Sequence, residues 1–217
     1  MKVYGFPGLG FNVKALDPLQ HEIPTLQPIG WTAPIPTETL SQYAARVARK
    51  IKLDSETVLI GHSLGGMLVQ ELAALVPVRK VILISSITCA EENPWYFKLL
   101  APLGLNHLFS RTLTTRTLQL WGPAHDYCNG QEQEVFTEMV RSYSRAYYRW
   151  ALRELSRWKV PQLPKDLPLV RLHGTNDLTF PLRSMRHIDY EIKDAGHFML
   201  FKKASEIAPI LHKEIQS

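Results

Sequence analysis

A chain of 217 residues is long enough for one domain with a substantial core and too short for two ordinary domains joined by a linker. With 45% hydrophobic and 21% charged residues, its composition excludes disordered, collagen-like and membrane-embedded classes, and no apolar stretch is long enough to cross a bilayer. The net charge of +5 comes from lysines and arginines scattered along the chain without a basic run, which argues against a nucleic-acid surface.

Residues 2–4 enter strand-like sequence at once, leaving no room for a basic n-region and an apolar signal core, so cytoplasmic residence is expected. They break into Gly5-Phe6-Pro7-Gly8-Leu9-Gly10, a loop whose residues tolerate close backbone approach and suit a ligand-facing turn. A helix is expected from Ile35-Pro36-Thr37 onward, capped by Thr37, because Leu40, Tyr43, Ala44, Val47, Ala48 and Ile51 recur at the spacing of one helical face. Thr57-Val58-Leu59-Ile60 is an apolar, β-branched run of the kind found in a strand buried on both faces, and residues 65–76 are helical up to Pro77. Val81-Ile82-Leu83-Ile84 and residues 167–172 repeat the buried-strand pattern, while Ile188, Tyr190 and Ile192 alternate with charged residues like an edge strand. A helix over about residues 203–215 ends the chain.

Strands alternating with helices in this way predict a three-layer α/β/α sandwich around a mostly parallel sheet. One segment interrupts the alternation. Residues 87–160 contain no buried-strand run and are rich in Trp, Tyr, Phe and Arg, so they are read as a helical lid inserted after the fourth strand, with residues 1–86 and 161–217 as the core of a single domain. Within the lid, Val135, Phe136, Met139, Val140, Tyr143, Tyr147, Trp150 and Ala151 mark one face of a long helix over about 132–158. Arg141, Arg145, Arg149, Arg153 and Arg157 recur every fourth residue along it, either as a solvated face paired with Glu134, Glu138 and Glu154 or as a recognition site for an anionic group. Trp95, Tyr96, Phe97, Leu99, Leu100, Leu103, Leu105, Leu108, Phe109 and Trp121 make the rest of the lid apolar, which favours an apolar pocket. Cys89 and Cys128, both in the lid, are expected to be free thiols.

The chemistry-bearing residues sit where strands end. Gly61-His62-Ser63-Leu64-Gly65 fits G-x-S-x-G between a buried strand and a helix, the setting in which a tight, strained turn lifts a serine hydroxyl above the sheet. Gly61 and Gly65 supply the small positions the turn needs, and the helix that follows aims its free N–H groups where an oxyanion would form. An unactivated hydroxyl is a poor nucleophile, so a base oriented by a carboxylate is required. The loop after the next-to-last strand presents Asp177 and the loop after the last presents His197; Asp194 ranks behind Asp177, and His62 and His173 are read as packed or supporting residues.

Ser63, Asp177 and His197 occur in the chain order of the α/β-hydrolase triad, and the elbow, the Gly174-x-x-Asp177-x-x-x-Pro181 loop and the Gly196-His197 pair resemble that superfamily's sites. The resemblance implies Ser63 as nucleophile, His197 as base and Asp177 as the acid that orients it. It also implies an oxyanion hole made by the backbone N–H groups of Leu64 and Phe6, with Tyr4 standing where the family commonly has histidine. The two antiparallel strands that often open the fold have no sequence ahead of Lys2, so a reduced sheet of about six strands is expected. The implied activity is a carboxylesterase-like hydrolysis of an ester or thioester of a small, largely apolar molecule, with no cofactor or metal. Carbon-carbon bond hydrolysis and a non-catalytic ligand receptor on the same fold remain as alternatives.

Overall fold

The computed structural model describes residues 1–100 and 130–217. Among the described residues six strands form one sheet: β1 (Lys2–Phe6), β2 (Leu26–Pro28), β3 (Thr57–His62), β4 (Lys80–Ile84), β5 (Leu169–Gly174) and β6 (Tyr190–Ile192), in the spatial order β2-β1-β3-β4-β5-β6. All the pairings are parallel. β3 and β4 are buried along their whole length, as their unbroken apolar runs require of strands covered on both faces.

Helices α1 (Asp17–Glu22), α2 (Leu40–Ala48) and α3 (Leu64–Leu75) follow the first strands, and α4 (Trp95–Leu100), α5 (Gly130–Arg141) and α6 (Arg145–Arg157) lie between β4 and β5 in the chain. α7 (Met199–Lys202) and α8 (Ala204–Gln216) follow β6. α2 packs on α3, while α1 packs on α7 and α8. Among the described residues no helix is long and apolar enough to cross a membrane.

The chain lays β2 on one side of β1 and then crosses back through α2 to lay β3 on the other. The strand order therefore reverses between β1 and β3, the place where open parallel sheets form ligand sites beyond their carboxyl ends, and Phe6 and His62 terminate the two strands there.

Four details depart from the sequence reading. The three-residue strand β2 is absent from it: too short to show a pattern, it tolerates Pro28 because it lies at the sheet edge. The helix expected to be capped by Thr37 begins at Leu40, capped by Thr39, because Thr39 and Gln42 form a reciprocal capping box that Thr37 has no partner to match. The final helix is preceded by a separate turn, α7.

The single helix expected over 132–158 is two. Ser142 bonds back to the Met139 carbonyl and ends α5, and Ser144 caps α6 by accepting from the Tyr147 N–H. The apolar spacing continues across the break, which hid it.

α6 is bolted to the body. Trp150, fully buried, donates to the Glu38 carbonyl at 2.9 Å, Glu154 accepts from the Leu40 N–H at 2.8 Å, and Trp158 donates to Glu71 at 2.9 Å. Arg141, Arg145, Arg149 and Arg157 are exposed, whereas Arg153 is spent on the Pro36 and Glu38 carbonyls and on Glu154. Glu138 pairs with Lys14 rather than with the arginine row. Cys89 is a free thiol; Cys128, Leu103, Leu105, Leu108, Phe109, Trp121 and the rest of residues 101–129 lie outside the described residues.

Candidate active site

Ser63 joins β3 to α3 with φ 53° and ψ −121°, a conformation that costs a non-glycine residue of the order of 1–3 kcal/mol. The surroundings hold it there. The Ser63 N–H donates to the Ile84 carbonyl at the end of β4, and the Ser63 carbonyl accepts from the Gly66 N–H at 2.9 Å and from the Ser86 hydroxyl at 2.7 Å. A Cβ on Gly61 would lie 2.5 Å from the Gly65 carbonyl oxygen, and one on Gly65 would lie 2.6 Å from that of Pro7, so neither position accepts a side chain. The same closeness brings the loop after β1 against the start of α3. Phe6, Leu64 and Ser63 thus meet around Gly65, where the Leu64 and Gly65 N–H groups have no partner within the helix.

Asp177 and His197 arrive from the carboxyl side of β5 and β6. His197 Nε2 stands 2.9 Å from the Ser63 hydroxyl, and His197 Nδ1 stands 2.9 Å from Asp177 Oδ2. The three side chains, separated by 20 and 134 positions along the sequence, form one hydrogen-bonded row, each residue less than a tenth exposed. The second carboxylate oxygen, Oδ1, accepts the N–H groups of Thr179 and Phe180 at 2.8 and 2.9 Å, so Asp177 is anchored in its own loop while Oδ2 faces the imidazole. Asp194, the lower-ranked acid, is exposed, with a left-handed backbone at φ 54° and its N–H bonded to the Thr175 hydroxyl.

Burial alone would raise the Asp177 carboxyl, but the facing His197, His173 and the Phe180 N–H together carry it below the ordinary carboxylate value. An anionic Asp177 accepts, so His197 carries its proton on Nδ1 and offers the Nε2 lone pair to the serine hydroxyl. This is the arrangement in which an imidazole can remove a proton from a hydroxyl as it attacks.

Two further histidines enclose the row. His173 donates from Nε2 to the Phe180 carbonyl at 2.7 Å, with the same nitrogen 3.5 Å from Asp177 Oδ2, and burial pushes its imidazole below the ordinary value. His62 points Nε2 at the His197 carbonyl oxygen, 2.8 Å away; burial, reinforced by the neighbouring His197, pushes it down to about 3. In both, burial favours the neutral imidazole. Sequence reasoning missed Ser86 altogether, although a Ser85-Ser86 pair directly after a buried strand is the kind of polar strand end where such contacts arise.

The walls are aromatic. The Phe180 ring lies 5.5 Å from the His197 ring and 5.9 Å from Phe97, and Phe11 lies 5.6 Å from His62, 5.7 Å from Phe136 and stacked at 4.6 Å on Phe198. Among the described residues no cluster of three or more His, Cys, Asp or Glu side chains is arranged to hold a metal ion.

No curated protein sequence matches the chain. Solved structures do. An esterase from Exiguobacterium antarcticum superposes with a TM-score of 0.76 at 15% identity, over 100% of this chain and 92% of its own. A bromoperoxidase from Bacillus anthracis gives 0.77 at 13% identity, over 100% and 92%. The RedJ thioesterase from the prodiginine biosynthetic pathway in Streptomyces coelicolor gives 0.65 at 16% identity, over 96% and 84%. At such identities the shared property is the fold, which in these three carries differently named activities. The model of the alpha/beta hydrolase family matches residues 4–210, spanning the elbow, the Asp177 loop and the His197 loop. The chain belongs to the alpha/beta hydrolase family.

Proposed function

We propose that this protein is a serine hydrolase that cleaves the ester or thioester of a small, largely apolar molecule through an acyl-enzyme. The observation that carries this reading is the unbroken row from the Ser63 hydroxyl through His197 to Asp177, at 2.9 Å for each step, set at a strained strand-helix turn. His197 takes the Ser63 proton as the oxygen attacks the carbonyl carbon, and the oxyanion rests on the N–H groups of Leu64 and Phe6 beside the N-terminus of α3. The leaving group then departs with the proton from His197. Water, deprotonated by the same imidazole, releases the acid and restores Ser63.

The rings of Phe11, Phe97, Phe136 and Phe180 around this row favour an apolar acyl group. Residues 87–160 serve as the lid over a core of 1–86 and 161–217. The fold shared with an esterase and with the RedJ thioesterase supports oxygen esters and thioesters alike. Intact-mass analysis after a fluorophosphonate is expected to add one phosphonyl group to the wild type and none to Ser63→Ala. A wild type that stays unmodified and turns over neither p-nitrophenyl esters nor acyl thioesters overturns the reading.

A further inference from the structure

His62 is the residue immediately before the candidate nucleophile, and its ring has no part in the chemistry proposed above. It is 1% exposed and closed in on three sides: by the ring of Phe11 at 5.6 Å, by the ring of His197 at 5.0 Å, and by Gly8, where an added Cβ would lie 2.7 Å from Nδ1 and 3.1 Å from Cε1. The carbonyl of His197 can only accept, so the proton of His62 sits on Nε2 and is donated across 2.8 Å. Nδ1 is then a buried lone pair with no hydrogen-bond partner among the described residues. An apolar side chain of similar size would avoid that penalty, so packing alone is a poor reason for an imidazole here.

The bond that the ring does make closes a small circuit. His62 and Ser63 are consecutive residues on one rigid turn; His62 holds the backbone of His197, and the side chain of His197 holds the hydroxyl of Ser63. Two hydrogen bonds thus tie the same two segments, one through the main chain and one through the reacting side chain. The His197 loop follows the short strand β6, and its start is tied to the end of β5 by bonds from the Thr175 and Asn176 N–H groups to the Ile192 and Ala195 carbonyls. The bond from His62 extends that anchoring to residue 197 itself and links it to the turn after β3. We propose that His62 is a positioning residue: by donating to the His197 carbonyl oxygen, it holds the imidazole of His197 at attack distance from Ser63. This rests on the serine-hydrolase reading above and adds to it a residue that never touches substrate. Displacement of a reacting group by about 1 Å is enough to lower a rate by two orders of magnitude, so one bond of this kind has a measurable effect.

The test compares His62→Gln with His62→Met in the full chain. The two side chains have the same length, but only the Gln amide donates from near the position of Nε2. The readouts are the second-order rate of fluorophosphonate labelling at Ser63 and the kcat and KM for a p-nitrophenyl ester, with folding checked by thermal unfolding. The Met variant is expected to fold, to be labelled about 10- to 100-fold more slowly and to lose kcat to a similar extent with KM changed less than about threefold, while Gln restores most of the rate. A folded Met variant labelled at the wild-type rate, or Gln and Met variants equally impaired, overturns the proposal and leaves the hydrolase reading standing. If the Met variant does not fold, the Gln variant decides: full labelling supports the proposal, and a folded Gln variant slowed more than about tenfold overturns it. A wild type that is not labelled at all removes the hydrolase reading, and this extension with it.

Discussion

Arg171 and Glu92 meet as a buried, two-pronged ion pair, Nη1 to Oε1 and Nη2 to Oε2, each at 2.9 Å. Arg171 belongs to β5, and Glu92 lies just after β4, at the root of the segment read as the lid. Glu92 also accepts the N–H groups of Thr88 and Arg186, so one carboxylate gathers three parts of the chain. Burial works against its ionisation, but Arg171 and these donors hold its carboxyl below the ordinary value. Glu92→Ala strands a guanidinium in the interior and is expected to lower stability by about 3–5 kcal/mol, read as a shifted urea midpoint. A loss below about 1 kcal/mol would show that the pair carries no structural weight.

Ser63, the nucleophile of the proposed reaction, sits on a strained backbone. At φ 53° and ψ −121° a glycine is comfortable, so Ser63→Gly is expected to raise stability by up to about 1 kcal/mol, the relief of strain exceeding the added entropy of the unfolded chain. The same change should abolish labelling and reduce turnover by at least ~10³-fold. Equal or lower unfolding temperature in the Gly variant would contradict the strain argument without touching the chemistry.

Acid should destabilise the protein through His62. Its imidazole stays neutral in the fold down to about 3, against an ordinary 6.5, so between those values the unfolded chain binds a proton that the folded chain refuses. The contribution is therefore complete above pH 6.5 and is lost as pH falls, at a slope approaching about 1.4 kcal/mol per pH unit. His173, shifted in the same direction by burial, adds to the slope. Urea unfolding at pH 7, 6 and 5 measures it, and His62→Met is expected to flatten the dependence; an unchanged slope in that variant would rule out His62 as its source.

Trp150 offers a separation of packing from hydrogen bonding. Trp150→Phe removes the donor to the Glu38 carbonyl, but that oxygen keeps the Arg153 guanidinium at 2.7 Å, so the cost should stay near about 1–2 kcal/mol. Trp150→Ala also empties the space between Trp31, Tyr43 and Tyr147 and should cost about 3–5 kcal/mol. Similar losses in the two variants, measured by denaturant unfolding, would mean that the indole N–H rather than the ring volume secures α6.

Much of the sheet was legible because its signals are local. Thr57-Val58-Leu59-Ile60 and Val81-Ile82-Leu83-Ile84 announce buried parallel strands through a few adjacent side chains, and the elbow announces itself by two glycines around a serine. β2 was illegible for the converse reason: three residues with one proline carry no period, and pairing with β1 makes them a strand. The break between α5 and α6 was hidden by an apolar spacing that runs through it, although Ser142 and Ser144 hold the stop and start. The arginine row illustrates a limit of spacing arguments, since a repeat of four marks a face without saying whether that face meets water, carbonyls or a ligand.

By itself the sequence determined the alternation of strands and helices, the turn at Ser63 and the presence of Asp177 and His197 in loops at strand ends, because each depends on neighbours within a few positions. Only the tertiary structure decided that His197 reaches both Ser63 and Asp177, that His62 grips the backbone of His197, and that Glu92 finds Arg171 across 79 positions. Such contacts arise when separate loops are brought to one end of a sheet. A shift of about one ångström between strands would break them while leaving every local pattern intact.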